Sequence, residues 1–146
     1  MSDAIEIRRA QARDAAELAR LAAELGYPMT VDEMSRRLTA LLPDARHYVV
    51  VADGGPRLLG WMHVERRCSL EGGDRAELMG LVVDAAARRR RLGRRLVALA
   101  EEWTRAQGLS SVTVRSNTAR ALSHPFYEAL GYSRLKTQHV YTKIVE

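Results

Sequence analysis

The chain has 146 residues, with 23 Lys+Arg against 18 Asp+Glu and a formal net charge of +5. That length predicts a single domain over residues 1–146, large enough to bury a core without a disulfide or metal staple. With 47% hydrophobic and 28% charged residues, the composition excludes a disordered tail, and the lack of a long apolar run excludes a membrane-spanning helix.

The opening MSDAIEIRRA has no apolar core of a secretory signal, and Ile5 and Ile7 alternating with Glu6 and Arg8 predict a first strand. Asp14 stands three residues before Glu17, the spacing of a capping box, and Leu18, Leu21, Ala22 and Leu25 stripe the helix that Gly26 ends. Thr30 and Glu33 repeat the box ahead of a second helix striped by Met34, Leu38, Leu41 and Leu42 and stopped by Pro43. Residues 47–52 (HYVVVA) and 58–67 (LLGWMHVERR) predict a hairpin around Asp53-Gly54-Gly55-Pro56, and residues 76–84 (AELMGLVVD) the next strand. Leu92, Leu96, Leu99 and Trp103 then mark a long helix closed by Gly108. A short strand over 111–115, a helix ending in FYEALGY with Gly131 as its stop, and one or two strands within 132–145 complete a mixed α/β order. The one cysteine, Cys68, has no internal partner and fits a reducing cytoplasm.

Among the cations only Lys136 and Lys143 are lysine, and six of the eight residues from Arg88 to Arg95 are arginine. A guanidinium is a fork suited to phosphate oxygens. These arginines crowd the start of the long helix, where the peptide dipole is positive and acids are the usual occupants. Each cation there costs roughly 0.3–1 kcal/mol, a conflict that a bound anion resolves by meeting amides and guanidinium groups together. The plainer alternative is a solvated basic surface.

The stretch Arg88-Arg89-Arg90-Arg91-Leu92-Gly93, after GLVVDAAA, resembles the Gln/Arg-x-x-Gly-x-Gly/Ala motif of the GNAT superfamily of acetyl-CoA-dependent N-acetyltransferases. The later SNTARALSHPFYEALGY resembles that family's second element, a strand-end Asn and a Tyr-x-x-x-Gly-aromatic turn. The resemblance covers nearly the whole chain and implies a mixed, mostly antiparallel central sheet of six to seven strands flanked by about four helices. It also implies acetyl-CoA as co-substrate, an amine acceptor and a homodimer. Leu81, Val82 and Val83 would face the pantetheine arm, Arg88, Arg89, Arg90, Arg91, Leu92, Gly93 and Arg94 would wrap the pyrophosphate, and Asn117 and Tyr127 would lie near the arm and its sulfur. One departure stands out: Arg91 replaces the motif glycine, and it can serve if its φ is negative and its side chain turns aside or folds over a phosphate.

Transfer to an amine needs a base, an oxyanion donor and an acid for the thiolate. Glu77, eleven residues before Arg88, resembles the general base of some family members; its ordinary alternatives are a solvent-facing strand glutamate or an ion pair with a nearby arginine. The oxyanion donor would be an N–H near Leu81, with Gly80 marking a bulge. Tyr127 resembles the family's thiolate acid; otherwise it is a half-buried aromatic. The acceptor would approach around Tyr27, Met29, Asp32 and Tyr132 to Tyr141, and its identity is not readable. His47, His63, His139 and Cys68 show no metal-ligand spacing, so no metal is expected. Two other functions compete: a basic nucleic-acid-binding module, disfavoured by Glu101, Glu102 and Trp103 on the same helix, and a non-catalytic acyl-CoA sensor.

Overall fold

The computed structural model describes residues 5–116 and 123–146, and of residues 88–90 the backbone only. They form two compact units, up to Val114 and from Arg115 onward.

The first unit is built on a five-stranded sheet in sequence order. Its strands are β1 (Glu6–Arg9), β2 (His47–Asp53), β3 (Leu58–Ser69), β4 (Gly73–Val83) and β5 (Val112–Val114). The first four pair antiparallel, β2 to β4 through tight connections and β1 to β2 across two helices, and β5 joins β4 in parallel after a helical crossover. Two helices, α1 (Ala15–Glu24) and α2 (Val31–Leu41), follow β1, and α3 (Leu92–Ala106) separates β4 from β5.

Strand alternation sorts the side chains into two layers. Leu18 and Leu21 of α1, Leu38 of α2, Val49 and Val51 of β2, and Val82 of β4 form one cluster, with Trp61 packed against it. The opposite face carries Val50, Met62 and Val64, all buried, and meets Leu92, Leu96, Val97 and Ala100 of α3. Gly60 lets α3 approach: a Cβ there would lie 3.4 Å from Leu96 and 2.7 Å from the Val82 carbonyl oxygen. Each fully buried aliphatic side chain contributes about 1.5–3 kcal/mol, so the sheet is held from both sides.

The helix starts differ from expectation at one place. Thr30 and Glu33 make both hydrogen bonds of the box, at 3.0 and 2.9 Å. Asp14 does not pair with Glu17; its carboxylate accepts from the Gln11 amide at 2.8 Å and takes a two-pronged bond from Arg8. Glu17 instead accepts from Leu58 N–H and from Arg20. Both carboxylates thus tie α1 to the sheet.

The second unit contains α4 (Ser123–Ala129). Its last turn is closed by Gly131, at φ +92°, with Gly131 N–H donating to the Glu128 carbonyl and Tyr132 N–H to the Tyr127 carbonyl. This is a left-handed glycine cap, completed by the Tyr127 and Tyr132 rings meeting at 5.9 Å. Residues 132–145, expected to hold one or two strands, are irregular, with Leu135, Val140, Tyr141, Ile144 and Val145 exposed. The described sheet therefore has five strands rather than six to seven, because a residue composition suited to strands makes none without a paired neighbour. Among the described residues no helix is long and apolar enough to cross a membrane.

Candidate functional site

The site begins where β4 changes register. Val64 pairs with Leu78 but His63 pairs with Gly80, so Met79 is the extra residue of a bulge. The expected bulge is present, and the need for glycine is steric: a Cβ on Gly80 would lie 2.5 Å from the Trp61 ring.

The parallel ladder to β5 stops at this point. It pairs Ala76, Glu77 and Leu78 with Val112, Thr113 and Val114 and goes no further. From Met79 to Val83 the strand still bonds β3 on one side. Among the described residues no strand pairs with its other side. Leu81, Val82 and Val83 lie on this open edge, with the Val82 side chain buried in the core and its backbone left to the edge.

Asp84 then turns the chain. It is 5% exposed and accepts from Ala86 N–H at 3.0 Å and from Arg20 at 3.1 Å, while its own N–H donates to the Leu59 carbonyl at 2.8 Å. The Ala86 amide holds its carboxyl below the usual range; burial opposes this and Arg20 reinforces it. Sequence reasoning missed this residue, although an acid two residues before an N–H is a common turn signal. Ala85–Arg90, including Arg88, Arg89 and Arg90, form a 3-10 turn.

Arg91 caps α3 in the left-handed conformation, φ 57° and ψ 25°, and is the one non-glycine residue with positive φ among those described. The expectation of a negative φ is overturned. Arginine here takes the backbone shape for which the motif uses glycine, because the turn must reverse from β4 into α3. The side chains of Arg91, Arg94 and Arg95 are exposed, Gly93 is half-buried and Leu92 is buried as the helix's anchor. Arg95 N–H donates to the Arg91 carbonyl at 3.1 Å, so the amides of Leu92, Gly93 and Arg94 precede the first helical bond.

Glu77 sits just before the bulge, 3% exposed, with Oε2 accepting from Arg67 at 3.2 Å. Its ion pair, one of the ordinary alternatives, is therefore present. Glu65 pairs with Glu77 across the strands, and its Oε1 lies 3.6 Å from Arg67. One register step away, His63 and His47 meet at 2.9 Å. Burial, with the nearby His47 charge adding to it, pushes the His63 imidazole down to about 4.

Taken by itself, the second unit places Tyr127 half-buried in α4, its ring edge-on to Phe126 at 5.1 Å and its carbonyl closing the glycine cap. Asn117 lies outside the described residues.

Solved structures share this fold. Aminoglycoside N-acetyltransferase AAC(6')-Iy in complex with CoA matches with a TM-score of 0.87 at 17% identity, over 98% of this chain and 97% of that one. Aminoglycoside antibiotic 6'-N-acetyltransferase AAC(6')-Ih from Acinetobacter baumannii matches with 0.85 at 18%, over 98% and 100%. Glucosamine-6-phosphate N-acetyltransferase from Arabidopsis thaliana matches with 0.79 at 19%, over 95% and 98%. No curated protein matches in sequence. A family model does, that of the acetyltransferase (GNAT) family, over residues 11–132. That span is most of the chain and holds the bulge, the Asp84 turn and the glycine-capped α4, and the protein belongs to this family.

Proposed function

We propose that the protein moves an acetyl group from acetyl-CoA to a primary amine by direct attack in a ternary complex, residues 1–146 serving the reaction as one domain. The carrying observation is the continuity of one piece of chain. An open strand edge, Met79–Val83, leads through the Asp84 turn to the amides that start α3. An open edge suits the amides of an extended arm. Helix-start amides beside guanidinium groups suit a diphosphate. Acetyl-CoA joins both features in one molecule and supplies the thioester. Leu81, Val82 and Val83 would hold the arm, with Asn117, and Arg88 to Arg94 the pyrophosphate.

Glu77 takes the proton of the arriving ammonium, directly or through a water, freeing the nitrogen lone pair to bond to the thioester carbon. An N–H near Leu81 donates to the carbonyl oxygen as negative charge gathers there. As the carbon–sulfur bond breaks, Tyr127 returns a proton to sulfur. The nitrogen, now bonded to carbon, gives up its second proton, which restores Tyr127, and the proton on Glu77 passes to solvent; the acetyl group goes from sulfur to nitrogen directly, with no acyl-enzyme. Cys68 takes no part; it lies at the exposed end of β3. The solved relatives named above acetylate chemically different amines, and an acceptor panel is the means of choosing among them.

The test follows free thiol released from acetyl-CoA across amines. Release with at least one amine is expected, together with a rise in melting temperature with CoA and none with a DNA oligonucleotide. Tyr127→Phe should lower kcat more than CoA affinity, and Glu77→Gln should lower kcat at every pH. Stabilisation by DNA but not by CoA would instead select the nucleic-acid module; stabilisation by acetyl-CoA without turnover would select the sensor.

A further inference from the structure

Outside the strand edge and helix start, one cluster of titratable groups has no part in the proposed reaction. His47 on β2 and His63 and Glu65 on β3 lie on the sheet face that also carries Val49, Val51 and Trp61. The register places Val49 opposite His63 and His47 opposite Glu65. His47 Nδ1 and His63 Nε2 are 2.9 Å apart, and Glu65 Oε2 is 3.9 Å from the same Nδ1. One donor atom from each residue lies within 4.8 Å of the others. We propose that His47, His63 and Glu65 form a binding site for a borderline divalent transition-metal ion, with zinc as the fitting representative.

The donor set decides the class of ion. Two imidazole nitrogens and one carboxylate oxygen suit zinc and its neighbours in the first transition row, whereas calcium and magnesium take oxygen ligands. The separations suit it too. Bonds of about 2.0–2.1 Å place two nitrogens roughly 2.9 Å apart at a right angle and roughly 3.3 Å apart at the tetrahedral angle. The 2.9 Å contact is a hydrogen bond between the two rings, which a metal ion would replace, and the separation of the nitrogens already falls near that of two ligands on one ion. Glu65 needs a side-chain rotation to close, and at 22% side-chain exposure it has the room.

The surroundings orient these ligands. With Nδ1 turned to the ion, His47 Nε2 carries its proton toward Asp44, whose Oδ2 is 3.9 Å away. At that distance the carboxylate makes no hydrogen bond to the ring, but its charge favours a cation held there. Arg67 faces Glu65 Oε1 at 3.6 Å, which leaves Oε2 for the ion. Three protein ligands leave at least one position for water or another donor. Spacing along the chain hides the site, because strand register rather than a short motif assembles it.

The full chain, stripped with a chelator and then dialysed free of it, is titrated with zinc chloride by calorimetry, and its cobalt form is read by visible absorption. One equivalent should bind at micromolar zinc and raise the melting temperature. His47→Gln and His63→Gln should each weaken binding by at least about tenfold, and X-ray absorption should count two imidazoles. Glu65→Gln, at a half-buried ligand more exposed than His47, serves where a histidine variant melts abnormally without metal, and should also weaken binding. Cys68→Ser with His139→Gln should bind as the wild type does. No binding by the wild type, or equal binding by it and the ligand variants, overturns the site.

Discussion

At Arg91 the backbone adopts a shape that costs a side-chain-bearing residue roughly 1–2 kcal/mol. Glycine removes that cost and returns part of it as freedom of the unfolded chain. Arg91→Gly should therefore stabilise the ligand-free protein by about 0.5–1 kcal/mol, measured by urea unfolding. Arg91→Val, β-branched at positive φ, should destabilise it by at least about 1 kcal/mol; the reverse order would contradict the left-handed cap. Gly80 is constrained by its neighbour instead. Its missing side chain is where the Trp61 ring sits, so Gly80→Ala should cost about 1–3 kcal/mol through forced repacking, read as a fall in Tm. The glycine of the bulge was legible in the sequence as a strand interruption. The ring that demands it was not, because Trp61 comes from the neighbouring strand.

At the scale of elements, carboxylates bind the layers together, and their bonds set the pH response. Burial pushes the Asp14 carboxyl up, but Arg8 and the Gln11 amide outweigh burial and hold it below the usual range. A carboxyl lowered by folding stabilises fully above its unfolded value, near 3.9, and loses that contribution as pH falls through its folded value. Asp14→Asn should therefore be less stable than the wild type by about 1.5–3 kcal/mol at neutral pH, with the gap shrinking below about pH 4. Urea unfolding at several pH values measures it, and a gap that widens in acid would contradict the pairing. The two capping boxes show what local sequence can tell. Thr30 and Glu33 find each other within one turn and read correctly, whereas Asp14 is claimed by Arg8 of β1, a partner no capping rule contains. Asp84→Asn should loosen the β4–α3 turn and weaken CoA binding by about tenfold while costing about 0.5–2 kcal/mol of stability.

Across the whole molecule, the parts legible in the sequence were those carried by consecutive residues. These are the arginine-rich helix start, the β4 strand leading to it, and the FYEALGY turn, whose glycine and following aromatic make a helix cap out of one short run. Residues 132–145 are rich in Tyr, Thr and Val as a strand would be, yet composition does not provide the neighbour that makes one. The His47–His63–Glu65 cluster was silent for the opposite reason, since it exists only once β2 and β3 are in register. The edge and the helix start act as one seat, and backbone amide exchange with and without CoA reads this out. CoA should slow exchange at amides within Met79–Val83 and Leu92–Arg94 together. Protection confined to only one of these stretches, or none at saturating CoA, would contradict it.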